Sequence, residues 1–180
     1  MSSAFPEILT DRLLLRPPQR ADFEAFAAFM GDARSATYVG GVQTKSIAWR
    51  GFMTLAGSWE LEGFAMFSVL LRSTGEWIGR VGPWQPLGWP GTEVGWGIVP
   101  DHWCNGYATE AAIASIDWAF ENLGWTDVIH AIHPENAASI AVAQKLGSTN
   151  RGPGKLPEPL DHYDVNIWGQ TKHEWQSRPR

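Results

Sequence analysis

The sequence predicts a mixed α/β sheet fold, and three observations carry that expectation. Apolar stretches of strand type alternate along the chain with amphipathic stretches of helical period, and glycine or proline marks most of the junctions. The amphipathic stretches are interspersed among the strands, which describes a sheet flanked by helices. No repeat, low-complexity tract or long linker divides the 180 residues, a length that suits one domain with a sizeable core, so residues 1–180 read as a single domain.

The elements follow in order. Residues 8–16 form a first strand around Leu13-Leu14-Leu15, stopped by Pro17-Pro18. Residues 22–30 form a helix with Phe23, Phe26, Ala27 and Met30 on one face. Gly40-Gly41 breaks the chain, and Thr44 caps a helix bearing Trp49, Phe52, Met53, Ala56 and Trp59. Residues 64–71 and 77–83 form a hairpin across Ser73-Thr74-Gly75-Glu76. A strand at 93–99 leads through a short loop into a helix from Thr109, whose Ile113, Ile116, Phe120 and Leu123 share a face and which Gly124 ends. Residues 128–132 form a further strand, Asn136 caps a helix reaching Leu146, and Gly147 closes it. Two last strands fall near 148–152 and 163–170.

Composition removes several function classes. With 44% hydrophobic and 18% charged residues the chain is globular, and its net charge of −5 argues against a nucleic-acid partner. No apolar run reaches membrane-spanning length, and Met1-Ser2-Ser3-Ala4-Phe5-Pro6 lacks a signal pattern, so no membrane partner is expected. The single cysteine, Cys104, forbids an internal disulfide framework and points to the cytoplasm. Seven of the eleven tryptophans fall between Trp49 and Trp103. Most suit core positions, but Trp84 and Trp89 lie in the Pro/Gly-rich loop at 83–91, where aromatics wall a substrate site.

The segment Trp103-Cys104-Asn105-Gly106-Tyr107-Ala108-Thr109-Glu110 joins a strand to a helix N-terminus. Backbone N–H groups there lack intrahelical partners and the helix dipole adds partial positive charge, which together make an anion site. Gly106 and Ala108 are small enough for phosphates to approach. The segment lacks the Gly-Lys-Ser/Thr ending of a nucleotide P-loop and the spaced glycines of a dinucleotide fold, and coenzyme A is the pyrophosphate that fits best. In the strand before it, alternation puts Glu93, Gly95, Gly97 and Val99 on one face, and two glycines on a face indicate a bulge or a close backbone approach by a ligand. In Pro134-Glu135-Asn136-Ala137-Ala138-Ser139, Asn136 is the cap and Ser139 stands in the first helical turn, where a hydroxyl can donate to a developing thiolate.

These motifs, with Lys145-Leu146-Gly147, resemble the GNAT acetyltransferases. Leu9-Thr10-Asp11-Arg12-Leu13-Leu14-Leu15-Arg16 further resembles the start of the branch containing the ribosomal-protein N-terminal acetyltransferases of RimJ and RimL type. The resemblance implies a mostly antiparallel sheet with a splayed central strand pair, here 93–99 and 128–132, that receives acetyl-CoA as cosubstrate. By position, Ile98 and Val99 pair with the pantetheine arm, Asn136 bonds it, and Trp103, Cys104, Asn105, Gly106, Tyr107, Ala108 and Thr109 form the pyrophosphate loop. The implied reaction is direct attack of a primary amine on the thioester in a ternary complex, with no metal and no covalent acetyl-enzyme.

That chemistry needs a base, because an alkylamine is protonated at neutral pH, and an N–H donor for the oxyanion, expected near Ile98. Glu93 is the first candidate base and His133 the second; Ser139 is the candidate acid for the leaving thiolate. Two departures stand out: Cys104-Asn105 replaces the small and basic residues common in the family, and Ser148 stands where an aromatic is usual. Cys104 lies at the phosphate end, away from the acetyl group. The acceptor walls are expected from 83–91, Gly40-Gly41 and 152–163, with Glu158, Asp161, His162 and Asp164 available to a cationic amine. The partner is an amine acceptor, either a small molecule or a protein N-terminus, and the chain a monomer or homodimer. A non-catalytic CoA sensor is the alternative on the same fold; a nucleotide binder lacks its lysine and its acidic metal ligands.

Overall fold

Eight strands form one continuous sheet in the computed structural model, which describes residues 5–178; residues 1–4 of the N-terminal stretch read above lie outside them. The strands are β1 (Ile8–Leu9), β2 (Leu13–Arg16), β3 (Phe67–Leu71), β4 (Trp77–Trp84), β5 (Glu93–Ile98), β6 (Asp127–Ile132), β7 (Thr149–Gly154) and β8 (Val165–Thr171), in the order β1-β2-β3-β4-β5-β6-β8-β7. Every neighbouring pair is antiparallel except β5 and β6. The helices are α1 (Phe23–Gly31), α2 (Ala33–Ala36), α3 (Lys45–Leu61), α4 (Tyr107–Asn122), α5 (Ala137–Lys145) and α6 (Lys172–Ser177). No helix among the described residues is long and apolar enough to cross a membrane.

The mixed α/β expectation holds, with local corrections. The first strand is two, because the Thr10 hydroxyl accepts the Leu13 N–H at 2.9 Å and turns the chain back, pairing Leu9 with Leu14. The helix expected from Thr109 starts at Tyr107, because Gly106 takes φ 81° and lets the loop enter the helix at once. Two short helices escaped the sequence reading. Asp32 caps α2 through the Arg34 N–H, and Thr171 with Glu174 forms a capping box on α6.

Glycines in β5 prove to be close-packing positions rather than a bulge. β4 and β5 pair without interruption from Trp84↔Glu93 to Gly79↔Ile98. A Cβ on Gly95 would lie 2.6 Å from the Met66 Cε, and one on Gly97 would lie 2.9 Å from the Phe29 Cζ. Protein side chains, Met66 just before β3 and Phe29 of α1, fill the space that the missing side chains leave. The one register shift on this side of the sheet lies between Val69 and Leu70, in the β3–β4 pairing.

Beside this core Arg16 and Asp22 form a buried, two-pronged ion pair, with both N–H···O distances 2.8 Å. Asp22 also accepts the Gln19 N–H and the Ser68 hydroxyl, and Ser68 in turn accepts the Trp77 indole N–H at 3.0 Å. Burial opposes ionisation of Asp22, but the hydrogen bonds from Arg16, Gln19 and Ser68 outweigh it and its pKa is lowered. The folded state therefore releases this proton at lower pH than the unfolded chain, and the stabilisation is lost as pH falls below the ordinary value of 3.8. Asp22→Asn strands the Arg16 guanidinium in the core, and urea unfolding at neutral pH should show a loss of about 3–5 kcal/mol.

Candidate active site

The chain builds its site where β5 and β6 part. They pair as parallel strands at a single register position, Glu93↔Ile129, with the Ile129 N–H donating to the Thr92 carbonyl at 2.9 Å. Beyond that point side chains replace the backbone ladder. The His130 Nδ1 donates to the Val94 carbonyl at 2.7 Å, and the Ala131 N–H donates to Glu93 Oε1 at 3.2 Å. Each bond satisfies a main-chain group that the divergence would otherwise leave bare. Further along, the Trp96 indole of β5 donates to the Ser139 hydroxyl of α5 at 3.2 Å.

His130 is fixed from both sides. With Nδ1 donating, Nε2 accepts from the Ser148 hydroxyl at 3.0 Å, and Ser148 also accepts from Gln170 at 3.0 Å. Burial lowers the His130 pKa to about 4, so the ring is neutral and keeps this tautomer. The serine that departs from the expected aromatic thus links β6 to β8.

A cavity of about 660 Å³ occupies the divergence. It is lined by the sequence-derived candidates Glu93, His133, Asn136 and Ser139, and by Trp84 and Trp89. Glu93 is 7% exposed, a buried carboxylate rather than a solvated strand end. The Trp89 indole donates to its Oε2, so the loop aromatic touches the candidate base directly. Burial raises the Glu93 pKa to about 7, against the opposing pull of Trp89, the Ala131 N–H and Arg80. His133 stands apart from Glu93 in kind: its ring lies 5.1 Å from that of Tyr38, and its Nδ1 accepts the Glu135 N–H at 3.2 Å. Asn136 caps α5 through the Ser139 N–H at 3.1 Å. Because the Ser139 oxygen accepts from Trp96, its own O–H is left to donate.

The cofactor candidates divide. Thr92 and Val94 turn carbonyls toward β6, so by strand alternation Trp96 and Ile98 present theirs to the same open edge. Val99 does not share it: its N–H donates to the Ile78 carbonyl at 2.8 Å, on the β4 side. The Ile98 carbonyl already accepts the Trp103 indole at 2.6 Å, a bond the sequence reading did not foresee. Asn105 folds back on its own loop through the His102 and Trp103 carbonyls, while Cys104, exposed, takes φ 61°. No side chain caps α4 at Gly106, and the N–H groups of Tyr107, Ala108 and Thr109 lie in the first helical turn. Gly106 and Thr109 line a second cavity of about 610 Å³, away from Glu93.

Arg12 supplies a basic group that the loop itself lacks. Its Nη1 donates to the Asn105 carbonyl at 3.0 Å, its guanidinium lies 4.5 Å from the Tyr107 ring centre, and it pairs with Glu110 at 2.7 Å. It sits 98 residues before Glu110 in the chain, and no local signal in the sequence announces that contact. The acceptor walls are partly as expected. Gly40 and Tyr38 line the cavity, as do Leu156, Leu160, Tyr163 and Asp164, whereas Glu158, Asp161 and His162 do not. The loop at 152–163 thus brings mainly apolar side chains to the site.

Comparison with known proteins agrees with this geometry. The Acetyltransferase (GNAT) domain matches residues 12–149. The uncharacterized N-acetyltransferase YnaD of Bacillus subtilis is 29% identical over 171 residues, covering 93% of this chain and 98% of that protein. The crystal structure of an acetyltransferase from Agrobacterium tumefaciens superimposes with a TM-score of 0.80 at 35% identity, over 94% of this chain and 96% of that one. Mycobacterium smegmatis RimJ in complex with CoA-disulfide has the same fold, with a TM-score of 0.70 at 20% identity over 90% of this chain and 83% of that one. The divergence of β5 from β6, the uncapped helix beyond it and these likenesses agree on one conclusion: the chain belongs to the GNAT acetyltransferases.

Proposed function

We propose that the chain, as one domain over residues 1–180, transfers an acetyl group from acetyl-CoA to a primary amine by direct attack in a ternary complex. The observation that carries this reading is Glu93, a buried carboxylate with a pKa raised to about 7, sharing a cavity with the Ser139 hydroxyl. A module that only senses CoA has no use for a base tuned to neutrality in a cavity large enough for a second substrate. The exposed single cysteine fits a reducing cytoplasm.

The residues present fit acetyl-CoA. The uncapped N–H groups of Tyr107, Ala108 and Thr109 suit a pyrophosphate, with Arg12 adding charge beside Gly106. Asn136 and the open edge at Trp96 and Ile98 suit the pantetheine arm, and Trp103 must release the Ile98 carbonyl if that group is to pair with it. When bound, acetyl-CoA supplies an activated acyl carbon and a thiolate leaving group.

The chain's own groups then have defined tasks. Glu93 takes a proton from the amine, directly or through water, and at neutral pH about half of it is ionised and able to do so. A main-chain N–H on the open edge near Ile98 faces developing negative charge on the carbonyl oxygen. Ser139, its oxygen fixed by Trp96, gives a proton to the departing sulfur and regains one from the attacking nitrogen, which loses its second proton as the amide forms.

Release of CoA thiol, followed across a panel of amines and N-terminal peptides in a Cys104→Ser background, tests the transfer itself; no turnover of any amine would sink it. For the reactive acceptor, kcat/KM should rise with pH through about 7 in wild type. Glu93→Gln should flatten that limb and lower kcat/KM by about 10²–10³-fold at a pH above it. The same residue sets a stability slope. Between 4.5 and about 7 the folded state keeps a proton that the unfolded chain releases, so stability falls as pH rises through that window, and Glu93→Gln should remove the slope in urea titrations. Ser139→Ala should lower kcat by about 10²-fold, the low end for a general acid because a thiolate leaves readily, while CoA affinity measured by calorimetry stays within a few-fold.

A further inference from the structure

Among the described residues, Arg80 is the only arginine or lysine lining the cavity, and it forms no ion pair. It projects from β4 opposite Gly97, on the face shared with Glu93. Its Nη1 donates to the Met66 Sδ at 2.8 Å, a weak acceptor, and its Nε is shut off from solvent with no hydrogen-bond partner. No carboxylate lies within ion-pair distance of it among the described residues. Its cavity neighbours include the apolar side chains of Phe26, Met30 and Leu55. Burial works against its charge, and the attraction of Glu93 offsets this only in part. A guanidinium kept charged in such a place costs free energy until an anion meets it.

Three carboxylates, Glu93, Glu135 and Asp164, line the same cavity. A plain anion would be repelled by them, and a plain cation would leave Arg80 unmet. A molecule bearing both an amine and an anion satisfies both sets. With Nη1 held by Met66 and Nε shut off from solvent, Nη2 is the guanidinium nitrogen left to meet an oxygen of a carboxylate. A cavity of about 660 Å³ suits a small molecule.

We infer that Arg80 binds a carboxylate of the acceptor, and that the acceptor is a small amine carrying that carboxylate, an amino-acid-like substrate. The inference rests on the acetyl-transfer reading, from which its test is separable. Two variants are used: Arg80→Met, which keeps a linear apolar stem without the charge, and Arg80→Lys, which restores a charge without the fork. Thermal melting confirms that each folds. Calorimetry in the presence of CoA reads the binding of N-acetylated amino acids, the reaction products, against their carboxamide counterparts, and needs no turnover. Wild type should bind the carboxylates about 10–100-fold more tightly than the carboxamides, the size of a charge-assisted hydrogen-bonded contact. Arg80→Met should erase most of that preference and Arg80→Lys should restore part of it.

In turnover assays the same preference should appear in KM rather than kcat. A preference that survives Arg80→Met, or carboxylates and carboxamides weakened alike, overturns the assignment. So does an Arg80→Met variant that moves only the pH profile of Glu93. Turnover confined to peptides, with no binding of free N-acetylated amino acids, overturns the small-substrate part. If the carboxylates bind through Arg80 while no amine is acetylated, the anion site stands and the acetyl-transfer reading fails.

Discussion

Two neighbouring strands that part after one paired position impose the constraint on which the rest of the site depends. A parallel pair that diverges inside a protein strands N–H and carbonyl groups in a region where water is scarce, and each bare group is costly. Here the cost is offset by side chains from the strands themselves. Glu93 offers a carboxylate to the Ala131 N–H, and His130 offers its Nδ1 to the Val94 carbonyl. The two residues have opposite hydrogen-bonding polarity, and each sits where that polarity is missing. The strain of opening the sheet and the chemistry of the site are consequently not separate matters. The carboxylate that holds the divergence is the one whose burial raises its pKa into the working range of a base.

The support behind these groups extends across the sheet. His130 can donate at Nδ1 only while Nε2 has a donor facing it, and Ser148 and Gln170 supply that arrangement from the neighbouring strand region. Trp96 joins β5 to the first turn of α5, and Asn136 fixes that turn from its start. At the other end of the divergence, Trp103 bonds Ile98, and Arg12 gathers Asn105, Tyr107 and Glu110. Ser139 and Asn105 are each held by a side chain remote in sequence, Trp96 and Arg12, and Glu93 by the remote Ala131 N–H, as a preorganised site requires.

Residues whose meaning is local were legible in the sequence. Thr44 and Asn136 act as the helix caps expected of them, and the strand expected at 93–99 runs from Glu93 to Ile98. The Thr171 and Glu174 capping box also has a local signature, yet it follows directly on a strand and passed unread. What could not be read is what depends on distant contact. The glycines of β5 suggested a bulge or the close approach of a ligand, whereas in the fold Met66 and Phe29 fill the space beside them. Alternation along β4 places Arg80 on a face without saying whether that face is wet. Ser148 was read as a neutral departure, because its partner His130 acquires a role only after β5 and β6 have separated.

Met66 lies between β5 and Arg80. It packs against the bare backbone of Gly95 on one side and carries Arg80 on the other, so the floor of the cavity rests on an unbranched thioether. Such a side chain changes shape through three rotatable bonds at little energetic cost. The adjoining boundary, made by Glu93, Trp89 and the Ala131 N–H, is cross-linked and cannot yield in the same way. The cavity thus has one stiff wall and one compliant floor. On the proposed reading, acceptors of differing bulk are taken up by deflection of the floor, while the stiff wall keeps Glu93 in place.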